Sequence, residues 1–266
     1  MQRNNKRLVD EALTYEPVRN TFLLGWEWIS INKAFTAMAL GIYILFNILG
    51  VSFLATVFAI TLQIYIGRIF YASNNITSYI EQIKESTREK LLKDTLIPSF
   101  GAYLGWTLLT FIVGFLILLF ILNTNDISTL NLEALQTPEA IEANMETLKP
   151  LLMAFAMPLF FLILLVLYIK PLVESNITLS RTFKEGFSAV FTAFSLDLWR
   201  KAMRRDYFFY VLKLDILLIG MMLPVAFLLS LIGLNLLTYI LIFILLYIIN
   251  IITAIASMLL RRMVEE

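Results

Sequence analysis

The chain has 266 residues, 59% of them hydrophobic, with 21 Lys and Arg against 20 Asp and Glu for a formal net charge of +1. A mean hydropathy of +0.80 lies far above that of a soluble domain and points to an integral membrane protein, while the balanced charge excludes the basic footprint of a nucleic-acid-binding domain. Histidine and cysteine are absent, which removes disulfides, thiolate chemistry, imidazole bases and the usual zinc or haem ligand sets; no cofactor is expected.

The first 30 residues hold Arg3, Lys6, Arg7, Asp10, Glu11, Glu16, Arg19 and Glu27, without a short apolar core that ends at a small-residue cleavage site. No cleaved leader is expected, so the first span directs insertion. From Pro17 to Lys33 the chain mixes Phe22, Leu23, Trp26, Trp28, Ile29 and Ile31 with polar residues. That composition suits an interfacial segment over 17–33, with Trp26 and Trp28 as depth anchors against lipid or a partner.

Residues 34–66 run without a charge. One helix of that length would reach about 50 Å at ~1.5 Å per residue, against a hydrocarbon core of about 30 Å. Two spans, 34–49 and 51–70, with a tight turn near Gly50, are the better reading; the rival is one long tilted helix that continues into the cytoplasm. The stretch 76–94 reads as an amphipathic inner helix. Ile76, Ile80, Ile83, Thr87 and Leu91 share a face, and Glu81 with Lys84, Glu85 with Arg88 and Glu89 with Lys93 are spaced as ion pairs.

A third span covers 98–122, entered at Pro98, which suits a first helical turn. The loop 123–149 carries Asp126, Glu133, Glu139, Glu142 and Glu146 against a single base, Lys149, and is placed outside. A fourth span over 150–169 ends at Lys170 and Pro171. The inner stretch 176–205 combines an aromatic stripe of Phe183, Phe187, Phe191, Phe194 and Leu198 with a basic cluster of Arg200, Lys201, Arg204 and Arg205. Near an anionic leaflet each such base contributes about 1 kcal/mol, so this cluster is the candidate contact for phospholipid or for a protein partner at the cytoplasmic face. Spans over 211–231 and 234–260 follow, and Arg261 with Arg262 ends the last.

Except for Lys149, every Lys and Arg falls in segments that can share one side of a membrane. The positive-inside rule then places both termini in the cytoplasm. The expected fold is all-α: one polytopic bundle over residues 1–266, about six spans, N-in and C-in, with amphipathic cytoplasmic helices. Asn75-Ile76-Thr77 and Asn176-Ile177-Thr178 each precede an amphipathic stretch and are followed by Lys84-Glu85 and Lys184-Glu185. Either a parallel internal repeat or chance similarity of two helix starts accounts for this.

The centres of the spans lack Asp, Glu, Lys and Arg, which argues against a proton relay. Lys213 and Asp215 sit near the inner end of the fifth span, where a lysine can snorkel and the carboxylate can pair with it or a neighbour. Asn250, Thr253 and Ser257 share one helix face, read as interhelical hydrogen bonding or as the lining of a path. Nucleotide loops, nucleophile elbows, metalloprotease pairs and closely spaced intramembrane carboxylates are absent, so an enzyme is not expected.

With its six-span layout, its inner helices and the segment from Tyr168 to Phe187, the chain resembles bacterial inner-membrane proteins similar to the membrane domain that accompanies some glycerophosphodiester phosphodiesterases. The resemblance implies a small multi-span protein of the bacterial inner membrane with no catalytic residues of its own. Two roles fit: a noncatalytic module that organises lipid or a protein partner through its basic inner helices, and a membrane subunit of a transporter for a small or hydrophobic substrate.

Overall fold

The computed structural model describes residues 7–124, 156, 166–233 and 235–265. The acidic loop beyond Thr124, with all five of its carboxylates, and most of the fourth span lie outside the described residues. Every regular element among them is a helix. In chain order these are α1 (Leu8–Thr14), α2 (Pro17–Ile31), α3 (Lys33–Ile48), α4 (Ser52–Ala72), α5 (Ile76–Lys84), α6 (Arg88–Lys93), α7 (Leu96–Thr124), α8 (166–179), α9 (Phe183–Phe191), α10 (Leu196–Ala202), α11 (Arg205–Ile232) and α12 (Leu236–Glu265). A short 3-10 turn, Thr192–Phe194, joins α9 to α10.

Among the described residues α4, residues Leu96–Leu116 of α7, α11 and α12 are each long and apolar enough to cross a membrane. The protein is therefore an all-helical bundle with four such helices, or five if α2 and α3, bent by 97° at Asn32, together make one. The uncharged run that starts at Ala34 is divided at Gly50, whose φ of +71° is open to glycine and costly for other residues. At 16 residues α3 reaches about 24 Å, short of the hydrocarbon thickness by itself.

The described residues up to 106 and from 169 onward form one compact unit, and Thr107–Tyr168 a second. Within the first unit α12 runs through the centre, in contact with α1, α2, α3, α4 and α11. From Ile251 to Leu260 all but Thr253 are buried, so this part of the helix is covered on every side. Small residues let the neighbours come close: a Cβ on Gly67 of α4 would lie 2.7 Å from the Thr178 methyl. Aromatic contacts fix the α2–α3 corner, where Trp28 meets Phe35 and Tyr65 edge-on at centroid distances of 6.1 and 6.0 Å. Such pairs contribute about 0.5–1.5 kcal/mol beyond the burial itself.

The inner stretch 76–94 is two helices where periodicity predicts one. Thr87 accepts the backbone N–H of Lys90 and starts α6 afresh. Tyr79, Ile83 and Leu91 are buried, whereas Ile76 and Thr87 are exposed. The break also changes the ion pairing, since Lys90 binds Glu85 at 3.0 Å while the i, i+3 and i, i+4 pairs expected of a continuous helix are not formed. Likewise 176–205 consists of the end of α8, then α9, the 3-10 turn and α10, so the aromatic stripe is interrupted after Phe191.

Two helix starts are built alike, in another register from the Asn-Ile-Thr match. Asn75 caps α5 by accepting the N–H of Ser78, but Asn176 lies inside α8. The residue in the position of Asn75 is Thr182, which caps α9 by accepting the N–H of Glu185. Three residues separate α4 from α5 and α8 from α9; the first in each case is a buried serine whose hydroxyl donates to the carbonyl four residues back, Ser73 to Ile69 and Ser180 to Asn176. Both α5 and α9 have nine residues, and the long helices α7 and α11 have 29 and 28.

Candidate functional site

The sequence candidates separate once the side chains are placed. Of the basic cluster, Lys201 binds Asp197 on its own helix at 2.8 Å, and Arg204 donates through Nη1 to the carbonyl of Met263 at 2.8 Å, which ties the start of α11 to the end of α12. Arg205 lies over the Phe209 ring, 5.5 Å from its centroid. Arg200 is exposed and makes no ion pair among the described residues. Of the four bases Arg204 alone joins two helices and Lys201 is paired at the surface of its own helix, while Arg200 and Arg205 are left to face outward.

The two tryptophans part in the same way. Trp26 is 65% exposed, whereas Trp28 is fully buried. Trp28 is corrected to a core residue, because the helical step of about 200° from residue 26 turns its indole into the angle between α2, α3 and α4. On α12 the polar strip is satisfied from within: Asn250 donates to the Ala59 carbonyl of α4 at 3.0 Å, while Thr253 and Ser257 donate to carbonyls of their own helix. Asn250 is the interhelical bond of the three.

Three features that sequence reading passed over organise this end of the protein. Arg68, near the end of α4, donates through Nε to the Thr178 carbonyl at 2.8 Å, through Nη1 to Asp94 at 3.0 Å and through Nη2 to Ser180; it satisfies the otherwise open carbonyls at the end of α8. Asn32 turns the two N–H bonds of Nδ2 to the carbonyls of Ile83, Lys84 and Ser86, which share them at 3.0, 3.2 and 3.2 Å, and accepts the N–H of Phe35, so one amide closes α5 and opens α3. Gly101 and Gly105, a G-x-x-x-G pair on α7, let α9 lie directly on the backbone: a Cβ on Gly101 would sit 2.0 Å from the Phe183 carbonyl oxygen. Only the last had a legible sequence signal, that spacing of glycines in an apolar helix.

Electrostatics outside the apolar helices follow from the same contacts. Glu185 accepts the backbone N–H of Arg181 at 2.6 Å, and this bond holds its carboxyl below the usual carboxylate range. Complete burial pushes the Tyr79 hydroxyl well above its ordinary value, which keeps it a donor to the Leu24 carbonyl at 3.2 Å. Among the described residues no three acidic side chains converge as a metal site.

A groove of about 990 Å³ lies between α2 and α11, lined also by Leu13 of α1 and Met263 of α12. Its floor includes Tyr210, whose hydroxyl is hydrogen-bonded to Thr21 at 2.5 Å in a buried contact. A smaller recess of about 660 Å³ is lined by Arg68, Tyr71, Lys93, Asp94 and Arg181; its central guanidinium is already held by the three carbonyls.

No protein-family model, curated protein or solved structure matches the chain.

Proposed function

We propose that this protein is a noncatalytic module of the bacterial inner membrane that binds phospholipid, and through it or beside it a protein partner, at the cytoplasmic ends of its helices. The observation that carries this reading is α11. Only 6% of the residues in its most apolar stretch are buried, and Ile216, Ile219, Leu223 and Phe227 are each about 60% exposed. An apolar helix uncovered to that degree requires hydrocarbon as its solvent. Arg200 and Arg205, at its entry, stand where an anionic headgroup layer would meet them.

In this reading the chain has six spans with both termini inside, the fourth formed by 150–169, and the matched caps and serines of the two halves derive from a parallel duplication. The internal hydrogen bonds of Asn250, Thr253 and Ser257 favour the module over a transport path along α12.

Because the chain contains no cysteine, single-cysteine variants test the threading. In intact cells a membrane-impermeant maleimide should label Glu139→Cys, and should reach Arg88→Cys and Arg200→Cys only after permeabilisation. Labelling of either arginine site from outside would overturn the topology. Charge reversal of Arg200 and Arg205 should leave insertion intact and reduce co-purified acidic lipid or partner; unchanged recovery of both would remove the cluster from the proposed role.

A further inference from the structure

The groove between α2 and α11 has an order of chemistry along its length. On the α11 side it presents, from the start of the helix inward, Asp206, then Phe209 and Tyr210, then Lys213, then Ile216, Leu217 and Met221. These positions recur at three and four residues and form one face. Acid, base and aliphatic therefore succeed one another in one direction, with Asp206 and Lys213 two turns or about 10 Å apart along the axis.

Among the described residues neither Asp206 nor Lys213 forms an ion pair. The other two charges at the groove, Arg19 and Glu16, bind each other at 2.8 Å. Lys213 lies two turns into the apolar helix, where an unpaired ammonium is costly unless it reaches water or an anion. Its side chain leans toward the helix start, on the side of Asp206. What complements this series is an amphiphile with a phosphate at the depth of Lys213, a primary ammonium farther out at Asp206 and a hydrocarbon chain inward along Ile216, Leu217 and Met221, with Phe22 opposite.

We propose that this groove is a binding site for a phospholipid with a phosphoethanolamine headgroup, its phosphate on Lys213 and its ammonium on Asp206. The volume, about 990 Å³, lies within the range of small-molecule clefts and takes the headgroup and the upper part of one chain, leaving the rest to the bilayer. The zwitterion is favoured over an acidic lipid because the groove offers one free carboxylate for each free ammonium. The inference rests on the membrane reading above and adds the lipid class and its orientation.

The test is native mass spectrometry of the full-length protein in detergent, titrated with phosphatidylethanolamine, phosphatidylcholine and phosphatidylglycerol of identical chains. Phosphatidylethanolamine should bind about tenfold more tightly than phosphatidylcholine, whose trimethylated nitrogen cannot donate a hydrogen bond to Asp206. Asp206→Asn should abolish that preference, and Lys213→Gln should weaken binding of both zwitterionic lipids about tenfold. Ile216→Trp, which fills the groove without touching either charge, should weaken all three lipids.

Equal binding of the two zwitterionic lipids by the unaltered protein would overturn the proposal, as would indifference to Lys213→Gln or tighter binding of phosphatidylglycerol that persists when Arg200 and Arg205 are charge-reversed. Competition by free phosphoethanolamine as effective as by the intact lipid would overturn it too, since the chain would then contribute nothing. Resistance of the protein to alkaline extraction from membranes, measured in parallel, separates the two readings: retention without lipid preference sinks the groove site alone, and release sinks the membrane reading.

Discussion

Arg262 donates through Nε to Asp10 Oδ1 at 2.6 Å, joining residues 252 positions apart in the chain and fastening α1 to the last turn of α12. The same turn is held from other sides, by Arg204 on the Met263 carbonyl, by Arg261 on Asn176 at 2.8 Å and by Tyr71 on Glu265 at 3.4 Å. The C-terminal end of α12 is thus the point where α1, α4, α8 and α11 are polar-bonded to one helix.

Asp10→Asn should lower stability by about 1–2 kcal/mol. The side chains of the pair are 27% and 19% exposed, so solvent screens part of the interaction but leaves a poorly hydrated guanidinium once the charge is removed. A double-mutant cycle with Arg262→Gln, read by thermal unfolding in detergent, should give a coupling of about 1 kcal/mol. Additive effects would show that the contact does not stabilise the fold.

Gly101→Ala and Gly186→Ala should each cost about 3 kcal/mol or more, since their Cβ atoms would fall 2.0 Å from the Phe183 oxygen and 2.1 Å from the Pro98 oxygen. Backbone cannot step aside as a side-chain tip can. Gly114→Ala and Gly220→Ala, in the same two long helices as Gly101 and Lys213, meet nothing within 4 Å and should be neutral or stabilising by up to about 1 kcal/mol. Thermal midpoints of the four variants in one detergent check the contrast.

Asn32→Leu should be among the most damaging polar substitutions, at about 2–3 kcal/mol, because it frees the carbonyls of Lys84 and Ser86 and one N–H at the start of α3, while Ile83 keeps the Ser86 N–H. Hydrogen exchange should quicken first in α5 and the first turn of α3. Uniform loss across the protein, without that local onset, would contradict the clasp.

Glu185 gives a pH dependence with a definite sign. Its carboxyl is held below its ordinary value of 4.5 in the folded protein, so the unfolded chain takes up the proton first as pH falls. The stabilisation is complete above pH 4.5 and is lost as the pH drops through the lower folded value. Glu185→Gln should therefore show a shallower fall of its thermal midpoint below pH 4.5 than the unaltered protein. Parallel curves would mean that the Arg181 N–H bond contributes nothing measurable.

Local sequence determined what local physics controls. Long uncharged runs must become helices, because only a helix satisfies its own backbone in an apolar setting, and so the helices α4, α7, α11 and α12 can be read directly from hydropathy. Gly50, the one glycine in its neighbourhood, sits where α3 ends, at a positive φ. Asn75, a good capping residue, begins α5. The second cap at Thr87 was equally visible, but the apolar periodicity that continues through it to Leu91 masks the break.

Tertiary structure decided whatever depends on which residues meet. Trp26 and Trp28 are alike in sequence, yet one is exposed and the other buried, since only the angle between α2 and α3 determines which face is inside. Arg68 and Arg204 read as cytoplasmic charge and turn out to hold carbonyls of distant helices. The sequence of acid, base and aliphatic along α11 becomes a groove only because α2 lies beside it. Helix formation and burial preference act over a few residues, whereas a clasp or a groove needs two surfaces brought together from opposite ends of the chain.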